Sequence, residues 1–229
     1  MASLVSAIAL VAPGASPTAD AAVHNTSPRP SLPHAAAQVR TQLRGIPQTG
    51  LTLGSSSAPV TVFEYADLVC GACAQAATNV LAPLIRRFVP TGRVAIRFEP
   101  IVEGPLSDQL THGALAAGVQ RHAWDYVQLA YLRSSPLRYG PAASPERLAH
   151  ALGLHRRLWR RSLRRRRWAS LIEQSARVAL LGQFSSYPVF IVRSTPNVFG
   201  QRFLSVLRAP TSLRQLSSTV RKALNVTGP

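Results

Sequence analysis

Val60-Thr-Val-Phe-Glu-Tyr-Ala-Asp-Leu-Val-Cys70-Gly-Ala-Cys73 joins an apolar β-type run to a helical pattern through two cysteines three apart. They are the only cysteines in 229 residues. Random placement would give this spacing roughly one time in a hundred, so it asks for a cause. A strand before the pair and a helix after it make the two-letter motif fairly specific for dithiol–disulfide chemistry. The strand, Val60 to Tyr65, carries apolar residues on both faces and so belongs inside a sheet.

Working outward, a helix runs from Cys70 to about Phe88, with Val80, Leu81, Leu84, Ile85 and Phe88 as its apolar stripe. Pro83 predicts a kink in it, and Pro90-Thr-Gly92 ends it. Val94 to Phe98 reads as a second strand, parallel to the first through a right-handed crossover. From about Ser107 to Leu181 the pattern is helical, with a start at Ser144-Pro145. Pro188-Val-Phe-Ile-Val192 is a third strand, and Val198 to Phe203 a fourth. A final helix begins near Thr211 or Ser212, its buried face marked by Leu213, Leu216, Val220 and Leu224. The fold class is α/β: a βαβ unit, a helical insertion at about 105–182, then a ββα unit, which is a thioredoxin-like layout.

Upstream, residues 1–21 look like a signal peptide. Leu4 to Ala12 is an apolar core too short to span a bilayer, and Ala19-Asp-Ala21 fits a small-x-small cleavage site. No Lys or Arg precedes that core. Residues 22–48 read as a flexible Pro/Ser-rich linker, and 49–226 as the folded domain. Gly45 to Gly54 is an extended lead-in. The expectation is a soluble, exported protein, periplasmic or extracellular, where a disulfide persists.

Residues 50–226 resemble the DsbA-like thiol:disulfide oxidoreductases. The resemblance rests on the 60–73 segment, on Val94-Ala-Ile-Arg-Phe98, on the helical insertion and on Tyr187-Pro-Val-Phe-Ile-Val192. It implies that Pro188 is cis and faces the cysteine pair. Two departures stand out. Gly71-Ala72 replaces the Pro-His of the strongly oxidising members, and bulky Tyr187 sits where the family often has Thr or Val.

These residues imply roles. Cys70, at a helix N-terminus, is the attacking thiol, because unpaired N–H groups and the helix dipole favour a thiolate. With no imidazolium between the cysteines, a weaker oxidant is expected. Cys73, one turn further in, is buried and resolves the mixed disulfide. Glu64 shares a face with Val60 and Val62, where desolvation would raise its pKa and suit it to relay the Cys73 proton. The alternative for Glu64 is an exposed strand end or a salt bridge, with Arg97 as its partner. Asp67 is read as a loop residue or cap. Tyr187 and Pro188 would form a backbone edge for an incoming substrate chain.

The function expected is exchange of a Cys70–Cys73 disulfide with cysteines of protein substrates, foremost as a dithiol oxidase, by a monomer needing a redox recycling partner. Reductase or isomerase activity remains open. So does a basic nucleic-acid or membrane binding protein with a structural cysteine pair. No bound cofactor or metal is implied: zinc needs about four ligands, and neither a second cysteine pair nor suitably spaced histidines are present.

The charge is +17, with 26 Lys+Arg against 9 Asp+Glu, and Lys222 is the one lysine. Much of it lies in His155-Arg-Arg-Leu-Trp-Arg-Arg-Ser-Leu-Arg-Arg-Arg-Arg-Trp168. On a helix, Arg156, Arg157, Arg160, Arg161, Arg164 and Arg165 share one side. A solvated face over a packed Trp159 is one reading of the Arg156–Arg167 helix, and weak contact with anionic surfaces the other.

Overall fold

The computed structural model describes residues 30–134, 144–164 and 167–228. The signal-peptide-like segment 1–21 and residues 22–29 of the expected linker lie outside them. The remainder of that linker differs from expectation: Leu32–Gln42 form helix α1. Ser31 caps it, its hydroxyl accepting the His34 N–H, and Pro33 stands in the first turn. Ala35, Ala36, Val39 and Leu43 are buried along one stripe. A Pro- and Ser-rich average concealed that stripe, because its apolar residues are mostly alanines.

A short hairpin follows, β1 (Gln48–Thr49) with β2 (Thr52–Leu53). Then come β3 (Val60–Ala66), helix α2 (Gly71–Ala76), a π-helical turn at Ala77–Leu81 and helix α3 (Ala82–Phe88). The irregularity expected at Pro83 is this π turn. Pro83 cannot donate a backbone hydrogen bond, and just before it the Ala82 N–H reaches back five residues to Ala77 O. Gly92, at φ +74°, closes the helix and leads into β4 (Val94–Pro100). Five helices form the insertion: α4 (Pro105–Gly118), α5 (Ala123–Ser134), α6 (Pro145–Ala151), α7 (Arg156–Leu163) and α8 (Arg167–Leu181). Strands β5 (Val189–Ser194) and β6 (Leu204–Arg208) and helix α9 (Leu213–Thr227) complete the fold.

The six strands run in the order β1-β2-β4-β3-β5-β6. β3 is parallel to β4 and antiparallel to β5. Its alternation assigns two cores. Val60, Val62 and Glu64 face the main cluster, which holds α9, the π turn and the insertion helices. Phe63 and Tyr65 face a smaller cluster with Ile101, Ala179 and Val189, under α8. The insertion is therefore continuous with the sheet's own core. Trp124 donates through Nε1 to Leu51 O at 2.9 Å, and Gln48 donates to Asp125 at 2.9 Å, tying α5 to the hairpin.

Two expectations shift. Val198 to Phe203 is not a strand. The Asn197 side chain accepts the N–H groups of Phe199 and Gln201 and holds a turn, with Val198 and Phe199 in solvent. Pairing with β5 begins at Phe203–Ser194, so the strand is Leu204–Arg208. The arginine-rich run is also two helices, not one, breaking at Arg164 (φ −99°, ψ 25°). Trp159 and Trp168 are both buried, their indole N–H groups donating to Gly113 O and Ser162 O.

α4 and α5 approach closely at Gly113, where a Cβ would lie 2.2 Å from the Tyr126 hydroxyl oxygen. Gly113→Ala should destabilise the protein by about 1–3 kcal/mol, as overpacking of a filled interior does. Urea unfolding checks it, and an unchanged midpoint would mean Tyr126 can swing aside.

Candidate active site

The site is built where β3 ends and α2 begins. Past Ala66 the chain turns on Asp67, whose backbone carbonyl accepts the Cys70 N–H at 3.2 Å and whose Oδ1 accepts the Val69 N–H at 2.8 Å. Asp67 is buried, so it acts as the expected loop cap from beneath the turn. The turn delivers Cys70 to the N-cap position of α2, with extended backbone (φ −71°, ψ 123°). Its Sγ accepts the Cys73 N–H at 3.2 Å.

Cys70 is half-buried and Cys73 fully buried, both as free thiols. The Cys70 thiol is pushed down to about 7 from 9.0. The largest cause is the hydrogen bond from the Cys73 thiol, and the backbone N–H groups of Cys73 and Ala72 add to it. Partial burial and the Asp67 charge oppose the shift. The same bond, with burial and the charges of Cys70 and Glu64, holds the Cys73 thiol far above its ordinary range. The pair shares one proton unequally: thiolate on Cys70, thiol on Cys73.

Glu64 lies beneath, with no exposed surface. Phe98 and Phe190 flank it on the neighbouring strands. Burial lifts its carboxyl to about 8 from 4.5. A hydrogen bond from the Tyr131 hydroxyl to Oε1 (3.3 Å) holds the rise back, and the Cys70 charge adds to it. Oε2 has no partner among the described residues. The salt bridge weighed for Glu64 is absent: Arg97 points to the other face of the sheet and pairs with Glu99. Tyr131, fully buried on α5, is the site residue the sequence did not single out. It lies 67 positions from Glu64, and in the chain it reads as one more apolar-face residue.

The Tyr187–Pro188 peptide is cis, and Tyr187 O lies 4.0 Å from Cys70 Sγ. The structure thus gathers Cys70, Cys73, Glu64, Tyr187 and Pro188 around one point. No cluster of three or more His, Cys, Asp or Glu residues able to hold a metal occurs among the described residues.

A mixed sheet with a Cys-x-x-Cys at the start of the helix after its central strand, opposite a cis-proline loop, defines the thioredoxin-fold class. Within that class the "Thioredoxin" family matches residues 47–193, and the chain belongs to it. Among solved structures, a thioredoxin-like oxidoreductase from Silicibacter pomeroyi superposes with TM-score 0.61 at 21% identity, over 81% of this chain and 98% of that one. Wolbachia pipientis alpha-DsbA1 superposes at 0.62 and 13% identity, covering 80% and 92% of the two chains. For oxidised BdbD from Bacillus subtilis the values are 0.60 and 17%, over 79% and 97%. The DsbA-like layout, helical insertion included, is therefore the fold of this chain. A curated relative, Na(+)/H(+) antiporter NhaA 3 of Salinispora tropica, is 31% identical over 171 residues. That match covers 74% of this chain and 24% of the relative, so this chain spans about a quarter of its length.

Two titrations check the electrostatics. Alkylation of reduced protein by iodoacetamide should be half-maximal near pH 7, the Cys70 value; half-maximal alkylation near pH 9 would refute the Cys73-to-Cys70 hydrogen bond. Folded Glu64 keeps its proton up to about pH 8, whereas in the unfolded chain it loses it near 4.5. Between these values the native state binds more protons, so stability falls as pH rises. Glu64→Gln removes that loss. Its stability advantage should grow between about pH 4.5 and 8 and level off above, as read by urea unfolding across pH.

Proposed function

We propose that this chain is a thiol–disulfide oxidoreductase that oxidises cysteines of protein substrates in the cell envelope. The observation that carries the reading is the asymmetric placing of the pair: a half-exposed Cys70 at the N-cap of α2, a fully buried Cys73 one turn further in, and a buried carboxyl beneath them. That asymmetry suits an attacking and a resolving thiol. A structural disulfide needs no such asymmetry, and closing so small a loop would stabilise little.

In the oxidised form, a substrate thiolate attacks Cys70 Sγ. The Cys70–Cys73 bond breaks, and Cys73 leaves with the electron pair. The Glu64 carboxyl, still protonated near neutral pH, gives its proton to the Cys73 sulfur. The substrate is now held on Cys70 as a mixed disulfide. A second substrate thiolate attacks the substrate sulfur of that bond, and Cys70 departs as its stabilised thiolate. The substrate ends with a disulfide and the pair as a dithiol, with Glu64 ready to reprotonate. A redox partner then removes two electrons to restore the Cys70–Cys73 bond. Tyr131 holds Glu64 in place, and Tyr187 with Pro188 offers the backbone edge along which the substrate lies.

The setting is read from the sequence. The apolar run Leu4–Ala12 directs export, and an oxidising compartment lets the pair cycle. We take the domain to act as a monomer, and carry over nothing of ion transport from the Salinispora relative.

A second reading has its own support. A Cys70 value near 7 resembles thioredoxin more than the strongly oxidising members, whose thiolate is stabilised much further, to about 3.5. That favours reductase or isomerase work by the same atoms in reverse.

Equilibration of the purified protein with glutathione buffers decides between them. A reversible two-electron transition at an oxidising potential supports the oxidase, and one near thioredoxin's supports the reductase. A pair that never reduces leaves a structural clip and removes both. Cys73→Ser should accumulate mixed disulfides with unfolded substrates that carry a disulfide, the Cys70 thiolate displacing one substrate sulfur as a thiolate with no second thiol to resolve the bond, whereas Cys70→Ser should form none.

A further inference from the structure

Beyond the cysteine site, helices α1, α6 and α7 enclose a half-open cavity of about 510 Å³. Its floor is apolar, made by Leu32, Ala149, Leu154 and the buried indole of Trp159. Its rim is cationic: Arg147 from α6, with Arg156 and Arg160 from α7. Glu146 is the one acid among the lining residues, and His150 also stands on the rim.

The cationic rim extends outward. Arg157, Arg161 and Arg164 continue the same face of α7 and are exposed. Among the described residues, no ion pair or side-chain hydrogen bond engages Arg147 or any of the α7 arginines, or Arg164 after them. Six guanidinium groups thus stand together without an ion-pair partner among the described residues, three of them on the rim of the apolar hollow, with Glu146 as the one carboxylate lining it. Leu158, between them, is 38% exposed. Self-repulsion within such a group costs free energy unless an anion relieves it.

We propose that this face is a docking surface for an anionic phospholipid membrane, with the arginines on the phosphates and the cavity receiving apolar acyl or glycerol-backbone atoms. Guanidinium forks match phosphate oxygens in pairs. The apolar floor separates this ligand from nucleic acid. A groove for single-stranded nucleic acid would present aromatic faces for stacking, yet Trp159 and Trp168 are both buried and their N–H groups already used, and a duplex held through its phosphates would leave the apolar hollow empty. An amphiphile with a negative head satisfies both halves of the site. The surface is independent of the cysteine chemistry, so either proposal can fail alone.

Vesicle co-sedimentation with the full chain tests it. The probes are phosphatidylcholine vesicles with and without about 30% phosphatidylglycerol, near physiological salt. Binding should require the anionic lipid. The triple variant Arg147→Gln, Arg156→Gln, Arg160→Gln should lose roughly 10–100-fold in partitioning. A control with equal loss of charge, Arg86→Gln, Arg214→Gln, Arg221→Gln, should stay within about threefold of the parent, since scattered charges act weakly through salt. Ala151→Asp, which puts a carboxylate on the cavity wall, should also weaken binding, while Cys70→Ser should bind like the parent.

Equal losses in the two triple variants would reduce the effect to net charge and overturn the site. Absence of binding to anionic vesicles would do the same. A short DNA duplex that binds more tightly than the vesicles, and is lost in the first triple variant alone, would reassign the face to nucleic acid.

Discussion

The site depends on β3 being paired on both edges and covered on both faces. Parallel pairing with β4 demands a crossover, which must leave from the C-terminal end of β3. That crossover begins with α2, so the first helical N–H groups open at the one place where a strand buried on all sides meets the surface. Cys70 inherits those donors because of where it falls in the chain. Glu64, two residues before the strand ends, inherits burial for the same reason.

Burial on both faces sets a cost. A carboxyl between Phe98 and Phe190, with one oxygen unpartnered among the described residues, is held far above its ordinary range. An apolar side chain would make a more stable strand. What the carboxyl offers instead, under the proposed function, is a protonated acid at neutral pH near the buried Cys73 thiol. On the proposed function, the cost falls where a buried proton donor is most useful to disulfide exchange.

The helical insertion has two roles. Through α5 it supplies Tyr131, the hydroxyl that moderates Glu64, and through Trp124 it fastens the β1–β2 hairpin to the core. Its outer layer, α6 and α7 with α1, gathers arginines that have no ion-pair partner among the described residues around an apolar hollow. α1 takes part because its alanine stripe lies flat against α5 and α6. A redox centre on one side and a cationic face on another are compatible, because neither borrows residues from the other.

Much of this was legible in the chain, and the division follows the range of the interactions. Strand β3, the cysteine spacing, the place of Cys70 at a helix start and the parallel β4 rest on local pattern and nearest-neighbour geometry, which a sequence carries directly, whereas the cis-proline loop was expected from the family resemblance alone. Glu64 was legible too, since alternation along one strand fixes its face. The β6 boundary was misplaced because the side chain of Asn197 holds a turn in an apolar stretch. Helix α1 was missed because an alanine stripe shows its worth only against the surface it covers. The arginine run looked like one helix because nothing in its residue pattern marks the end of α7 at Arg164. Tyr131 was invisible as a site residue, since nothing in its neighbours points 67 positions back to Glu64. The sequence determined which groups can do the chemistry. Only the tertiary structure decided which of them meet, because burial and long-range contact set the proton affinities on which that chemistry runs.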